Sequence, residues 1–511
     1  MAVRLTPKDM RRAFFLLKKK AREECEAGRN TASWYAFNDA VSCILPFNWE
    51  YADMELEEVL QKIALSWIPS IPAKYSSTDN RVVVLDDWCT SYVLVLQYIE
   101  ALAGAGKDVL YITSKDPETV SRGSICSRVG EMPNVQVLSF PCEGMAPDKW
   151  CRNVYREILA FGPSKVVAHI GPSSLFLIVL ARLPKGITRY RSNLDDQCFW
   201  LGTTAMDFCL EFRPFGVAVS RERRCLREQQ QLYVPFYPAR DGNTFQGFPE
   251  LPDNCVKLFS GGDFYKTLDP DYTYWQLVKA VLQENPNAVL LYATKNIVGK
   301  TQEFLEAFVK DNKLEKQFFY IGFRPDIYEV FAHSDIFLGT CPVCGSLMSQ
   351  LAAFNHKPIL QYYLPRTDDD ETEQAVCYNN PGLQISFTDK EAFLDEAAHL
   401  ISDAEYRKEQ GEQLFRATMS REQFNKVFID AIETNHAPCP GKTVNYKELQ
   451  RRWWWVEELG FYDHLSYVYA LLKNSRLLHC SPALWFKYNW RRYFSQKLFS
   501  AAWYKYKLRL G

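Results

Sequence analysis

Residues 256–294, VKLFSGGDFYKTLDPDYTYWQLVKAVLQENPNAVLLYAT, decide how this chain folds. VKLFSGG is an apolar run of strand length that stops at two glycines. Residues 274–283 then place apolar side chains at helical spacing, and NAVLLYAT is a second apolar run. Two such runs joined by a helix describe neighbouring parallel strands, a β-α-β unit.

The alternation continues downstream with a helix at 301–310, the strand KQFFYIGF, a helix from Asp326, the strand SDIFLGT, a helix from Ser346 and the strand KPILQYY. Upstream, RVVVLDD, a helix at 92–104, DVLYITS, VQVLSF, the helical DKWCRNVYREILAFG and KVVAHIG repeat the pattern. YPARDGNTFQGFPELPDN, residues 237–254, is polar and rich in turn formers, and reads as a linker between the two. The sequence therefore predicts an α/β protein: a helical segment over 1–77, Rossmann-like domains over 78–240 and 250–430, and further helices over 431–511.

A chain of 511 residues is long enough for two such cores. With 47% hydrophobic residues, 24% charged residues and a formal net charge of −1, it has neither the composition of a disordered chain nor the charge of one that coats nucleic acid. Fifteen cysteines, many inside apolar runs, point to a reducing compartment. The amino terminus lacks the apolar segment of a signal peptide, and the longest apolar run, residues 175–181, is far short of a membrane span. A cytoplasmic protein is expected.

Ligands of open parallel sheets bind beyond the carboxyl ends of the strands, and phosphates favour helix amino termini. Three turns in the second domain have that placement. Ser260, Gly261 and Gly262 precede Lys266; Phe323 and Arg324 lie between a strand and a helix; Thr340, Pro342 and Gly345 lead into a helix that begins Ser346, Leu347 and carries Ser349. A lysine and a helix dipole together suit a diphosphate.

The order of these elements resembles the catalytic domain of the O-GlcNAc transferase family and related bacterial protein glucosyltransferases. Lys266 precedes Pro270 and Trp275, and Asp335, Leu338, Thr340, Pro342, Gly345 and Pro358 follow at the family's spacing. The resemblance implies a GT-B fold, two Rossmann-like domains facing a cleft, and a metal-independent hexosyl- or N-acetylhexosaminyltransferase using a nucleotide sugar, with UDP favoured. It implies that Lys266 and the turn at 345–349 hold the diphosphate, and that Phe323 and Arg324 shape the base pocket. Two departures stand out: Ser346-Leu347-Met348 replaces the family's His-Thr-Thr, and Leu351 replaces its ribose-binding aspartate. In the first domain, residues 198–212, CFWLGTTAMDFCLEF, resemble a family block with several residues deleted.

Transfer to a hydroxyl needs a base on the first domain. Asp86 and Asp87, at the end of RVVVLDD, and His169, at the end of KVVAHIG, are the candidates. No metal or other cofactor is expected: Cys341 and Cys344 with Cys377 and Cys439 lack compact zinc spacing, and TDDDETE at 367–373 reads as a solvated loop. Residues 451–511 carry eleven Lys/Arg against three Asp/Glu, with many Trp and Tyr. The part from Trp485 to Leu510 suits peripheral contact with the inner face of an anionic membrane, and residues 453–469 suit packing. The expected partners are a nucleotide sugar and a glycan or protein acceptor, with no nucleic acid. A nucleotide-sugar epimerase and a non-catalytic binding protein of the same fold are the alternatives.

Overall fold

The computed structural model describes residues 6–45, 47–72, 74–88, 94–116, 128–237, 240, 242–295, 297, 299–364, 371–442, 444–459 and 476–493. The chain builds two parallel sheets. The first contains β1 (Thr78–Asp86), β2 (Asp108–Thr113), β3 (Val135–Ser139), β4 (Pro163–His169), β5 (Thr188–Ser192), β6 (Phe208–Glu211) and β7 (Gln231–Tyr233), in the order β3-β2-β1-β4-β5-β6-β7. The second contains β8 (Val256–Gly261), β9 (Ala288–Ala293), β10 (Phe318–Tyr320), β11 (Ile336–Leu338), β12 (Ile359–Tyr362) and β13 (Ser386–Phe387), in the order β10-β9-β8-β11-β12-β13. Both sheets are doubly wound, with the strand order reversing beside the first strand. Two Rossmann-like sheets facing a cleft make the architecture α/β of the GT-B type, with helical additions at both ends.

Alternation of side chains explains the layering. Val83 and Leu85 of β1 enter one core, which holds Trp150 and Phe176, while Val82 and Val84 enter another on the opposite face with Tyr98 and Ile99. In the second sheet Leu258 packs with Trp275 and Tyr292, and the next residue, Phe259, with Phe337 and Ala352. Helices α1 (Pro7–Glu26), α2 (Asn30–Ile44) and α3 (Met54–Trp67) cover the first of these faces through Phe14, Phe37 and Leu60.

The sequence places the end of the second domain at 430, but the helix Arg421–Thr434 already lies on the first sheet, where Phe424, Phe428 and Ile432 join the core of Tyr98 and Leu102. Tyr190 OH donates to Ile432 O at 2.9 Å, and Lys107 pairs with Glu433 at 2.7 Å. The chain thus crosses back before 430. The next helix, Tyr446–Glu458, stacks Trp454 on Phe47 at 4.0 Å.

Of the stretch expected at a membrane, the helix Pro482–Tyr493 docks on the amino-terminal helices. Leu484 is buried in their core, Trp485 packs against it and Lys487 pairs with Asp9, while Phe486 is 60% exposed. Residues 494–510 lie outside the described residues. Among the described residues no helix is long and apolar enough to cross a membrane.

One close crossing fixes the second domain's outer layer. A Cβ at Gly411, in the helix Ala404–Ala417, would lie 2.1 Å from His356 O. Helix propensity alone would make Gly411→Ala stabilising by about 1 kcal/mol, whereas overpacking against a backbone carbonyl costs ~1–3 kcal/mol. We therefore expect Gly411→Ala to lower the melting temperature; a rise would show that the two segments part easily.

Candidate functional site

Lys266 belongs to a single 3-10 turn, Phe264–Thr267, just past β8. Trp275 Nε1 donates to Thr267 Oγ1 at 3.2 Å, and Thr267 Oγ1 donates to Phe264 O at 2.8 Å, so the turn is anchored to the core. The loop after β11 is joined to it through the backbone, with Val343 N–H donating to Lys266 O at 3.2 Å. Thr340 Oγ1 closes that loop on Val343 O at 2.7 Å, and Pro342 O accepts from Arg452 Nη1 at 3.2 Å.

The loop ends at Gly345, the cap of the helix Ser346–Phe354. Lys266 Nζ lies 4.0 Å from where a side chain on Gly345 would begin. A cation and a helix amino terminus, with its unpaired N–H groups, therefore converge on one point.

The remaining candidates of the second domain fall into three groups. Ser346 and Leu347 line the same cavity as Lys266, and Ser349 is fully buried one turn further on, its hydroxyl without a partner among the described residues. Ser260 is fully buried and accepts from Tyr274 OH at 2.7 Å. A Cβ on Gly261 would meet Ala293 O at 2.8 Å, so smallness there serves strand packing, while Gly262 has a φ of +138°. Phe323 is 64% exposed, and Arg324 is held by Asp326 at 2.7 and 2.6 Å and by Gly247 O at 2.7 Å. This ties the linker to the second domain and leaves neither Phe323 nor Arg324 on the cavity.

The cavity, about 150 Å³, lies between the two sheets. From the second domain it is lined by Tyr265, Lys266, Ser346 and Leu347, from the first by Asp195, Gln197 and Arg213, and from the carboxyl-terminal helix by Arg452. Ligand sites for molecules of drug size run from roughly 300 Å³ upward, so this volume takes part of a nucleotide sugar and not the whole of it. Arg213 spans the cleft: it forms a bidentate pair with Asp196 at 2.6 and 2.8 Å and donates to Ser346 Oγ at 3.0 Å. A much larger groove, about 1320 Å³, opens at the foot of the first sheet beside Lys185, Arg189 and Arg227, away from these residues.

Asp86 and His169 pair with each other, and none of the three first-domain candidates lines the cavity. β1 and β4 are in register with Asp86 opposite His169, which sets His169 Nδ1 2.8 Å from Asp86 Oδ1. Asp86 also accepts from Tyr111 OH at 2.7 Å and Trp88 N–H at 2.9 Å, and both members of the pair are fully buried. With Nδ1–H donating to the carboxylate, Nε2 of His169 is buried without a partner among the described residues. Asp87 accepts from Ser114 Oγ at 2.9 Å and Gly171 N–H at 3.1 Å; burial pushes its carboxyl up, against the pull of these bonds and of Ser174.

Three charged residues on the cavity were not singled out in the sequence: Asp195, Arg213 and Arg452. The Leu194-Asp195-Asp196 step beyond β5 is the signal that could have found the first. Arg213, the residue before a helix-starting proline, carried a weaker one. Arg452 arrives from more than a hundred residues downstream and has no local signature.

No model of a known protein family matches the chain, and no curated protein matches it in sequence. Among solved structures it is similar to a Thermobaculum terrenum O-GlcNAc transferase mutant, 14% identical, with 87% of this chain and 83% of that chain covered at a TM-score of 0.47. It is similar to Anabaena HepE in complex with UDP and glucose, 12% identical, with 69% and 99% covered at a TM-score of 0.49. A Listeria monocytogenes protein with a provisional UDP-N-acetylglucosamine 2-epimerase assignment is 12% identical, with 72% and 100% covered at a TM-score of 0.47.

Proposed function

We propose that this chain is a glycosyltransferase that moves a hexosyl or N-acetylhexosaminyl group from a nucleoside diphosphate sugar, with UDP the favoured carrier, to a glycan or protein acceptor. One observation carries the reading: Lys266, the start of the helix Ser346–Phe354 and Arg213 converge on a single cavity between two doubly wound sheets. Negative charge develops on the departing diphosphate as the glycosidic bond breaks. Fixed donors in a cleft poor in water stabilise that charge most where it grows, which lowers the barrier. Lys266 and Arg213 supply positive charge from opposite walls and the helix supplies N–H donors.

UDP that binds only the folded chain stabilises it by about 2.7 kcal/mol at a hundred times its dissociation constant. We expect UDP to raise the melting temperature more than ADP or GDP does. A melt unmoved by every nucleoside diphosphate would contradict the proposal. Incubation with UDP-glucose and UDP-N-acetylglucosamine in the absence of acceptor separates the epimerase alternative, which alone would convert the donor to a stereoisomer.

A further inference from the structure

We propose, on the reading that the cavity transfers a sugar, that Asp195 is the catalytic base that removes the acceptor's proton. Asp195 follows β5 and is the only acidic side chain lining the cavity among the described residues. It stands on the first-domain wall, while Lys266 and Ser346 stand on the second. Asp195 is half-buried, neither walled into the core nor turned fully to solvent. The neighbouring acids are already committed: Asp196 to Arg213, Asp86 to His169, Tyr111 and the Trp88 N–H, and Asp87 to Ser114 and the Gly171 N–H.

Burial, the largest influence, pushes the Asp195 carboxyl above the ordinary carboxylate range; Arg191 and His169 pull it down, and Asp196 adds to the rise. A carboxylate with a raised pKa is a better proton acceptor than a solvated one. The environment therefore favours the task the position suggests.

The step balances simply. The bond between the anomeric carbon and the β-phosphate oxygen breaks, and its electron pair leaves with the diphosphate toward Lys266 and the helix start. The acceptor oxygen forms the new bond to that carbon from the first-domain side, and its proton passes to an Asp195 carboxylate oxygen and then to solvent. The products are the glycoside, the nucleoside diphosphate and one proton. With base and leaving group on opposite walls, the anomeric configuration inverts.

The test uses the full chain with UDP-glucose or UDP-N-acetylglucosamine as donor and water as acceptor, following UDP release alongside UDP and donor binding. Asp195→Asn is expected to bind UDP and both donors within about twofold of wild type while UDP release falls roughly 10²- to 10⁴-fold, the usual contribution of a general base. Release at the wild-type rate overturns the proposal, as does loss of donor binding, which would make Asp195 a donor contact. A wild-type chain that binds UDP but releases none from either donor also counts against a base here. A wild-type chain that binds no UDP fails earlier and refutes the donor site itself. Should Asp195→Asn not fold, Asp195→Glu decides: a tenfold or greater fall in release with UDP binding intact supports the proposal, and an unchanged rate overturns it.

Discussion

Lys266→Ala should bind UDP roughly ten- to a hundredfold more weakly than the wild-type chain, while its affinity for uridine stays where it was. Hydrogen bonds to charged groups contribute about 1.5–3 kcal/mol, and each ~1.4 kcal/mol is tenfold in affinity. Uridine lacks the phosphates, so it reports the rest of the site. The substitution leaves the loop's geometry in place, because Val343 N–H bonds to the Lys266 carbonyl and Trp275 Nε1 to Thr267 rather than to the lysine side chain. Calorimetric titration with both ligands checks the result. Equal weakening of UDP and uridine would mean that the loop had collapsed or that the diphosphate lies elsewhere.

Arg213→Met should lower stability by about 3–5 kcal/mol, the cost of leaving a buried charge without its partner. Arg213 and Asp196 are 2% and 0% exposed, and their bidentate contact is the main charge compensation on this wall. The double variant Arg213→Met/Asp196→Asn should melt higher than the single one, because it removes the stranded carboxylate charge as well as the cation. Both should bind UDP more weakly, since each loses the guanidinium that reaches Ser346. Thermal melts of the three chains decide the matter. An unchanged melt for the single variant, or a lower one for the double, would show that the pair contributes little.

The strands plainest in the sequence were those whose residues are apolar on both faces. Val82–Leu85 and Ala288–Ala293 are buried throughout and read as continuous runs. β5 escaped notice because its sequence, TRYRS, looks like surface; in the fold Arg191 is buried with its guanidinium 4.2 Å from the Trp200 ring. β13 is only two residues long and has no periodicity to read.

The site divides the same way. Lys266 and Ser346 follow apolar strands at loops whose chemistry is local, so the sequence pointed to them. His169 and Asp86 do stand at strand ends, as expected, but parallel register sets the two side by side, and their pairing turns them into the core. Asp195, Arg213 and Arg452 reach the cavity only through tertiary packing, across β5, β6 and the returning carboxyl-terminal helix. No window of sequence brings them together.

A crystal structure of the chain with UDP tests the central claim most directly. The account predicts the diphosphate between the sheets, with oxygens within about 3 Å of Lys266 Nζ and of backbone N–H groups at residues 346–348, the usual reach of a charge-assisted hydrogen bond. A diphosphate bound elsewhere, as in the groove at the foot of the first sheet, or UDP held with its phosphates turned to solvent, would contradict it.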